Sequence, residues 1–382
     1  MVRDYPFPVA KPNYSSPFYG KIERISLTTN PIDESKEKAF ADKLAQDFSA
    51  TYMTLLCSIG DRLGLFKDLS LKSPANPEEF AKRNGIDHHY AREWLYALFC
   101  ANYLDYDPIS KKFSLPIEKA SVLADEKGAM FFGGRYQYFR SHVRNFDKVE
   151  RAFTHGGGVP MQEYDDDMWD GMERSTGVIF EHWLVQHWIE ATPEIKNALQ
   201  KGISVADVGA GRGRAVIKLA QAFPNSRFVG YDNFGPTIEM ATKNAIRANV
   251  SDRVKFEMAD VEKGLPEKYD LITLFDVLHD MVDPRAALRR IRGALNPGGI
   301  CFVNENDPME KLEDNRGSLG ALNYATSIFY CMTTSLANGG EGWGTFGLPE
   351  SRLREFFKET GFQNVQRLHT DAIADALYIL KV

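Results

Sequence analysis

From about Asp47 the apolar positions fall at helical spacing. Tyr52, Leu55, Leu56, Ile59 and Leu63 recur every three or four residues, and Gly64 can end the run. Ser73-Pro-Ala-Asn-Pro-Glu-Glu opens a second helix with acidic residues in its first turn, closed by Gly85. A third is predicted from roughly Tyr90 to Ala101, with Trp94, Leu95, Leu98 and Phe99 on one face. Tyr103-Leu-Asp-Tyr-Asp-Pro and Lys112-Phe-Ser-Leu-Pro read as two short strands around a turn. Three helices followed by a small β-ribbon is the layout of a winged helix.

From Ile203 the pattern alternates between strands and helices. Strands are predicted at Ile203–Val208, Arg227–Asp232, Val254–Met258, Tyr269–Phe275 and from Gly299. Helices lie at Ala215–Ala222, Thr237–Ala248 and Pro284–Leu295. This is the signature of an α/β fold: a Rossmann-like, doubly wound, mostly parallel sheet that binds ligands at the carboxyl ends of its strands. A mainly α winged-helix domain precedes it.

The parts are then an N-terminal arm over 1–44, a winged-helix or dimerisation domain over 45–125, a helical connector and substrate lid over 126–200, and a ligand-binding domain over 201–382. The arm carries prolines at 6, 8, 12, 17 and 31 and little periodicity. The connector holds Gly156-Gly157-Gly158, an acid run Asp165-Asp166-Asp167 and an amphipathic stretch from Val178 to Ala191. The acid run reads as a solvated loop or a first helical turn, and no metal site is expected, since no further ligands accompany it. The triple glycine reads as a mobile loop, because no Lys-Ser/Thr follows it.

Length and composition bound the rest. The 382 residues are 43% hydrophobic and 26% charged, as in an ordinary globular chain. Four cysteines, Cys57, Cys100, Cys301 and Cys331, stand far apart, which fits reduced thiols packed as small hydrophobes. The N-terminus lacks the apolar core of a signal peptide, and no apolar run is long enough for a membrane span, so a cytoplasmic protein is expected. Net charge is 46 − 52 = −6. Within 45–125 there are 9 Lys and Arg against 11 Asp and Glu, a balance of −2. A phosphate-reading surface needs a basic face, so nucleic acid is disfavoured as a partner. Dimerisation is the expected use of the winged helix.

The first strand of the sheet ends in Asp207-Val-Gly209-Ala210-Gly211-Arg-Gly213. Glycines here let the backbone turn tightly and approach a ligand. The third glycine comes one residue too early for a dinucleotide fingerprint, and an Asp stands two residues before the first. An acid there suits a ligand bearing positive charge, and S-adenosyl-L-methionine offers both a sulfonium and an ammonium. These residues resemble the first motif of class I S-adenosylmethionine-dependent methyltransferases.

The resemblance continues in order along the chain. It implies that Asp232, with Asn233 beside it, takes the ribose hydroxyls, and that Asp260 and Val261 hold the adenine. It implies that the backbone at Phe275 and Asp276 holds the methionine amine, and Leu295-Asn-Pro-Gly-Gly299 is similar to the family's turn before strand five. Leu278-His279-Asp280-Met281 resembles the L-H-D-W sequence of plant-type small-molecule O-methyltransferases, although Met281 replaces the tryptophan. That likeness makes His279 the catalytic candidate, a base near neutral pH; its acidic partners are not apparent in the sequence.

The run from Leu278 to Ala287, Glu313-Asp-Asn, Tyr330-Cys-Met, Ser335, Gly347 and Arg352-Leu-Arg-Glu are similar to a bacterial group of winged-helix methyltransferases labelled as possible transcriptional regulators. What the resemblances imply is methyl transfer to a small hydrophobic or aromatic acceptor, O-directed first and N- or C-directed as alternatives, by a homodimer. Tyr324, Phe329, Tyr330, Met332, Trp343 and Phe346 of the insert at 307–347 are candidate walls of the acceptor pocket. The competing reading is a winged-helix transcriptional regulator that senses S-adenosylmethionine or another metabolite. A nicotinamide-dependent oxidoreductase is disfavoured by the glycine spacing.

Overall fold

A helix begins at Glu34, well before the predicted start, with Asp33 capping it. The computed structural model describes residues 32–368 and 375–382, and the arm at 1–31 lies outside these. The chain divides into two compact units, residues 1–52 and 53–382. Helix α1 runs Glu34–Arg62. Asp33 Oδ1 accepts from the Ser35 and Lys36 amides, and Lys38 pairs with Asp42 and Lys43 with Asp47 one turn apart. Those charge pairs sustain a helix that apolar spacing alone does not reveal.

The winged helix has α2 (Leu65–Lys72), which the sequence pattern did not separate from its neighbour, α3 (Pro77–Asn84) and α4 (His88–Cys100). An Asn76/Glu79 capping box starts α3 and Asp87 caps α4. Strands β1 (Asp105–Asp107) and β2 (Lys112–Ser114) pair antiparallel, and α5 (Ile117–Leu123) follows. Phe66, Phe80, Trp94, Leu95, Leu98 and Phe113 form its core. Trp94 stacks on Phe80 at 5.7 Å, and its Nε1–H donates to Leu56 O.

The connector is α6 (Gly133–Arg144), α7 (Phe146–His155), α8 (Asp166–Ile179), a π-helical segment Phe180–Ile189, and α9 (Pro193–Lys201). The acid run is the start of α8, and Asp167 there pairs with Arg140 and Arg144. The triple glycine leads into a packed crossing rather than a free loop: the Val159 amide donates to Thr333 Oγ1, 2.9 Å away.

The sheet runs β3 (Ser204–Val208), β4 (Arg227–Asp232), β5 (Val254–Met258), β6 (Tyr269–Phe275), β7 (Leu295–Asn306), β8 (Asn364–Leu368) and β9 (Asp375–Lys381). Their spatial order is β5-β4-β3-β6-β7-β9-β8. The first five are parallel, and β9 is antiparallel to both its neighbours. Helices α10 (Arg214–Ala222), α11 (Gly235–Arg247), α12 (Pro284–Gly293) and α15 (Glu350–Glu359) are the helices of the wound sheet. The insert supplies α13 (Ser318–Phe329) and α14 (Cys331–Ala337).

Each strand feeds two cores. On β7, Cys301 and Val303 join the core with α12 and α15, while Ile300 and Phe302 join the one with α10 and the π-helical segment. Tyr269 and Leu271 of β6 are two positions apart yet serve opposite cores, because the pairing register shifts between them. The strand order changes direction between β3 and β6. Their carboxyl ends therefore mark the crevice where such sheets bind ligands.

Candidate active site

A cavity of about 530 Å³ opens at that crevice. Asp207, Gly209, Ala210, Gly211, Asp232, Asn233, Asp260, Val261, Phe275 and Asp276, which the sequence placed on four separate strand ends, all line it. Gly213 does not. It sits one step behind, where φ is +80° and a Cβ would come within 2.3 Å of the Phe256 ring. Gly209 is constrained in the same way, with φ +72° and Val277 in the Cβ position. Both glycines let the β3–α10 loop lie flat on its neighbours.

The loop is fixed by β4. The Gly209 and Ala210 amides donate to Tyr231 O. The Gly211 amide donates to Asp232 Oδ2 at 2.9 Å, and the Phe234 amide to Asp232 Oδ1 at 2.9 Å. Asp232 thus orders the strand-end turn and faces the cavity as well; each carboxylate oxygen has a second lone pair for a ligand hydroxyl. Asp260 is similar, accepting the Glu262 amide as the cap of a short turn while lining the cavity.

Asp207 is 4% exposed, and Oδ1 accepts from Thr273 Oγ1 at 2.6 Å. Burial pushes its carboxyl up to about 7, the Thr273 hydrogen bond opposes the rise, and the Asp232 charge adds to it. No cationic side chain is among the causes of its shift. A carboxylate so placed fits a ligand that brings its own positive charge.

His279 lies on the turn Leu278–Asp280, 2% exposed, and is not part of the cavity wall. Its Nδ1 is 2.8 Å from Glu305 Oε2 and its Nε2 is 3.3 Å from Asp280 Oδ1. Burial opposes protonation, but the Glu305 and Asp280 charges outweigh it and hold the imidazole well above its ordinary range. Glu305, 1% exposed on β7, is the acidic partner that sequence reading did not find. Its Oε1 also accepts the amides of Val277, Leu278 and His279. The one signal was a Glu inside an otherwise apolar strand, at the end where ligands bind.

Asp280 and Asn304 line the cavity, and each has a buried polar atom without a hydrogen-bond partner, Oδ1 and Nδ2 respectively. Met161, Trp169, Met172, Phe180, Trp188 and Tyr330 give the cavity an apolar face, beside polar lining from Glu173, Arg212 and Arg214. Of the insert's aromatics Tyr330 lines the cavity; Trp343 packs edge-on against Phe356, and Tyr324 against Phe346. Trp169, set 4.8 Å from the Phe234 ring, comes from the connector instead. Arg212 of the glycine loop reaches α8, pairing with Asp170 and, at 3.2 Å, with Glu173.

Residues 199–341 match a family described as a methyltransferase domain, and residues 51–125 match an Rv2258c-like winged HTH domain. The chain carries a methyltransferase domain. The 27-O-demethylrifamycin SV methyltransferase of Amycolatopsis mediterranei is 33% identical over 109 residues, 28% of this chain and 40% of that protein. The chain spans less than half the length of the curated relatives that it first matches, between 24% and 40%.

Among solved structures, an O-methyltransferase family protein from Burkholderia thailandensis superposes with a TM-score of 0.68 at 16% identity, covering 89% of this chain and 97% of that one. Human N-acetylserotonin methyltransferase, in complex with SAM, gives 0.63 at 17% identity, covering 93% and 99%. The likeness of fold therefore extends beyond the methyltransferase domain to the connector and winged helix. Among the described residues, no helix is long and apolar enough to cross a membrane.

Proposed function

We propose that this chain is an S-adenosylmethionine-dependent methyltransferase acting on a small hydrophobic or aromatic acceptor, with O-methylation as the leading reaction. The observation that carries the reading is the cavity itself, where a buried, cation-free Asp207 and the loop-ordering Asp232 share one wall with Asp260 and Val261. When bound there, the cofactor supplies a methyl group on a sulfonium, already activated for transfer. Asp207 would face its positive charge, Asp232 with Asn233 would hold its ribose edge, and Asp260 and Val261 would hold the adenine. Phe275 and Asp276 close the wall at the methionine end.

The apolar residues Met161, Trp169, Met172 and Tyr330 receive the acceptor and keep water from the reacting atoms. The acid–base centre is the buried cluster around His279, with Glu305 behind the ring. Isothermal titration tests the reading: S-adenosylmethionine should bind at one site per chain. Asp207→Asn, which keeps the shape and removes the charge, should weaken it by about tenfold or more, roughly 1.4 kcal/mol. No heat at millimolar ligand would overturn the proposal.

We also propose a cytoplasmic homodimer without nucleic-acid partners. Its four cysteines are free thiols. Phe40, Leu44, Phe48 and Tyr52 are exposed apolar side chains at helical spacing on α1, which a second copy would cover. Five of the nine cations of the winged helix are paired: Arg83 and Lys72 with Asp68, Lys112 with Glu79, Lys119 with Asp105 and Arg92 with Glu93. That supports a packing role over phosphate contact.

A further inference from the structure

His279 is surrounded by acids on every side that packs against it. Asp276 and Asp280 come from its own turn and its approach, with Asp276 Oδ1 3.8 Å from Nδ1. Glu305 comes from β7, and Cys331 from α14 brings Sγ within 4.8 Å of a His279 ring nitrogen and an Asp280 carboxylate oxygen. An imidazole between carboxylates is favoured as imidazolium, and an imidazolium has no lone pair left for another proton. The ring is also screened from the cavity, since Asp280 lines the wall and His279 does not.

Asp280 has the opposite character. It lines the cavity, and Oδ1 is buried without an aligned hydrogen bond: His279 Nε2 stands 3.3 Å away as an ion pair, and the Cys331 thiol lies beside the carboxyl. A buried carboxylate oxygen in that condition is costly until a donor arrives. Burial raises the Asp280 carboxyl, which strengthens it as a base, while the His279 charge holds that rise back. Asn304 Nδ2 lines the same cavity as a donor without an acceptor. A hydroxyl group, which both donates and accepts, is the kind of group these two atoms call for.

We infer that the Asp280 carboxylate receives the proton of the methyl acceptor, and that His279, held by Glu305, is a positioning residue behind it. This assignment rests on the methyl-transfer reading above. The acceptor's O–H bond breaks and its proton goes to Asp280. The oxygen's electron pair forms the bond to the methyl carbon, whose bond to sulfur breaks with its pair left on sulfur. The acceptor exchanges one proton for one methyl group, Asp280 ends neutral, and His279 keeps its charge throughout.

Two measurements on the full chain test the assignment. Nitrogen-15 NMR of the imidazoles, with His279 identified through His279→Asn, should find both of its ring nitrogens protonated at neutral pH. Asp280→Asn should lower its titration midpoint. A neutral His279 ring at neutral pH overturns the assignment, whatever acceptor is used. With catechol as probe acceptor, Asp280→Asn should lower kcat by about 10² or more with KM little changed. His279→Asn should cost less and move the pH profile. Turnover lost in His279→Asn and kept in Asp280→Asn also overturns the assignment. If catechol is not methylated, the NMR result alone decides. Failure of S-adenosylmethionine to bind at all would instead strike the underlying reading.

Discussion

Glu305 shows how much a single buried charge can organise. One oxygen gathers three backbone amides of the turn that carries His279, and the other meets the imidazole. Replacing it by Gln keeps the shape and an acceptor oxygen but leaves the His279 charge with less compensation. Breaking a buried pair from one side costs about 3–5 kcal/mol, so Glu305→Gln should lower the urea midpoint by a corresponding amount without altering the slope. The sign with pH follows from the raised His279 value. Its contribution is full below about 6.5, the unfolded-state value, and is lost as pH rises through the folded-state value. In Glu305→Gln that loss should come at lower pH, which His279 NMR titration would register. Sequence reading located His279 because it stands in a recognisable run. It missed Glu305 because the contact spans 26 positions and is made only by the pairing of β6 with β7.

At the scale of elements, the strand-to-loop motifs were legible because each is local. Asp207, the three glycines and Asp232 sit at the ends of strands that announce themselves by apolar runs. The connector was less so. Its amphipathic stretch was visible, but the π-helical winding that turns Phe180 and Trp188 to the cavity depends on packing against β6 and α10. Nor does sequence spacing disclose that Arg212, inside the glycine loop, ties that loop to α8. The Asn244 side-chain amide donates both to Glu173 Oε1 and to Arg212 O, bracing the same contact.

Arg212 and Glu173 both line the cavity, so this latch holds the connector against the proposed cofactor site. Arg212→Met keeps the aliphatic stem and removes both ion pairs. It should raise the Kd for S-adenosylmethionine by about tenfold, a loss near 1.4 kcal/mol, and speed amide exchange in α8 while leaving that of β3 and β6 unchanged. Unaltered affinity together with unaltered exchange would show that the latch has no such function.

At the scale of the whole molecule, the doubly wound sheet and the winged helix were readable in advance, down to the parallel strands. The antiparallel pair β8 and β9 and the helix α2 were not, since short apolar runs leave strand and helix undistinguished until tertiary contacts choose. The polar residues buried where α6 meets the insert were equally hidden. Ser141, His142 and Asn145 are all enclosed, and His142 stacks 5.9 Å from the Phe329 ring with Nε2 unpartnered.

Burial alone pushes the His142 imidazole down to about 4. The unfolded chain, near the ordinary 6.5, then binds more protons than the folded chain throughout the interval between those values. Stability is therefore full above about 6.5 and falls as pH drops toward 4, by about 3 kcal/mol across the interval. His279 contributes nothing to that slope, because its raised value leaves it protonated in both states at the acid end. His142→Phe keeps a flat ring for Phe329 and Tyr138 to pack on and removes the titrating group. Urea unfolding followed across this pH range should give a steep loss of stability for the unaltered chain and a distinctly flatter one for His142→Phe. Equal slopes would mean that the acid sensitivity of the fold arises from its carboxylates, among which the Arg140- and Arg144-paired Asp167 is the first to examine.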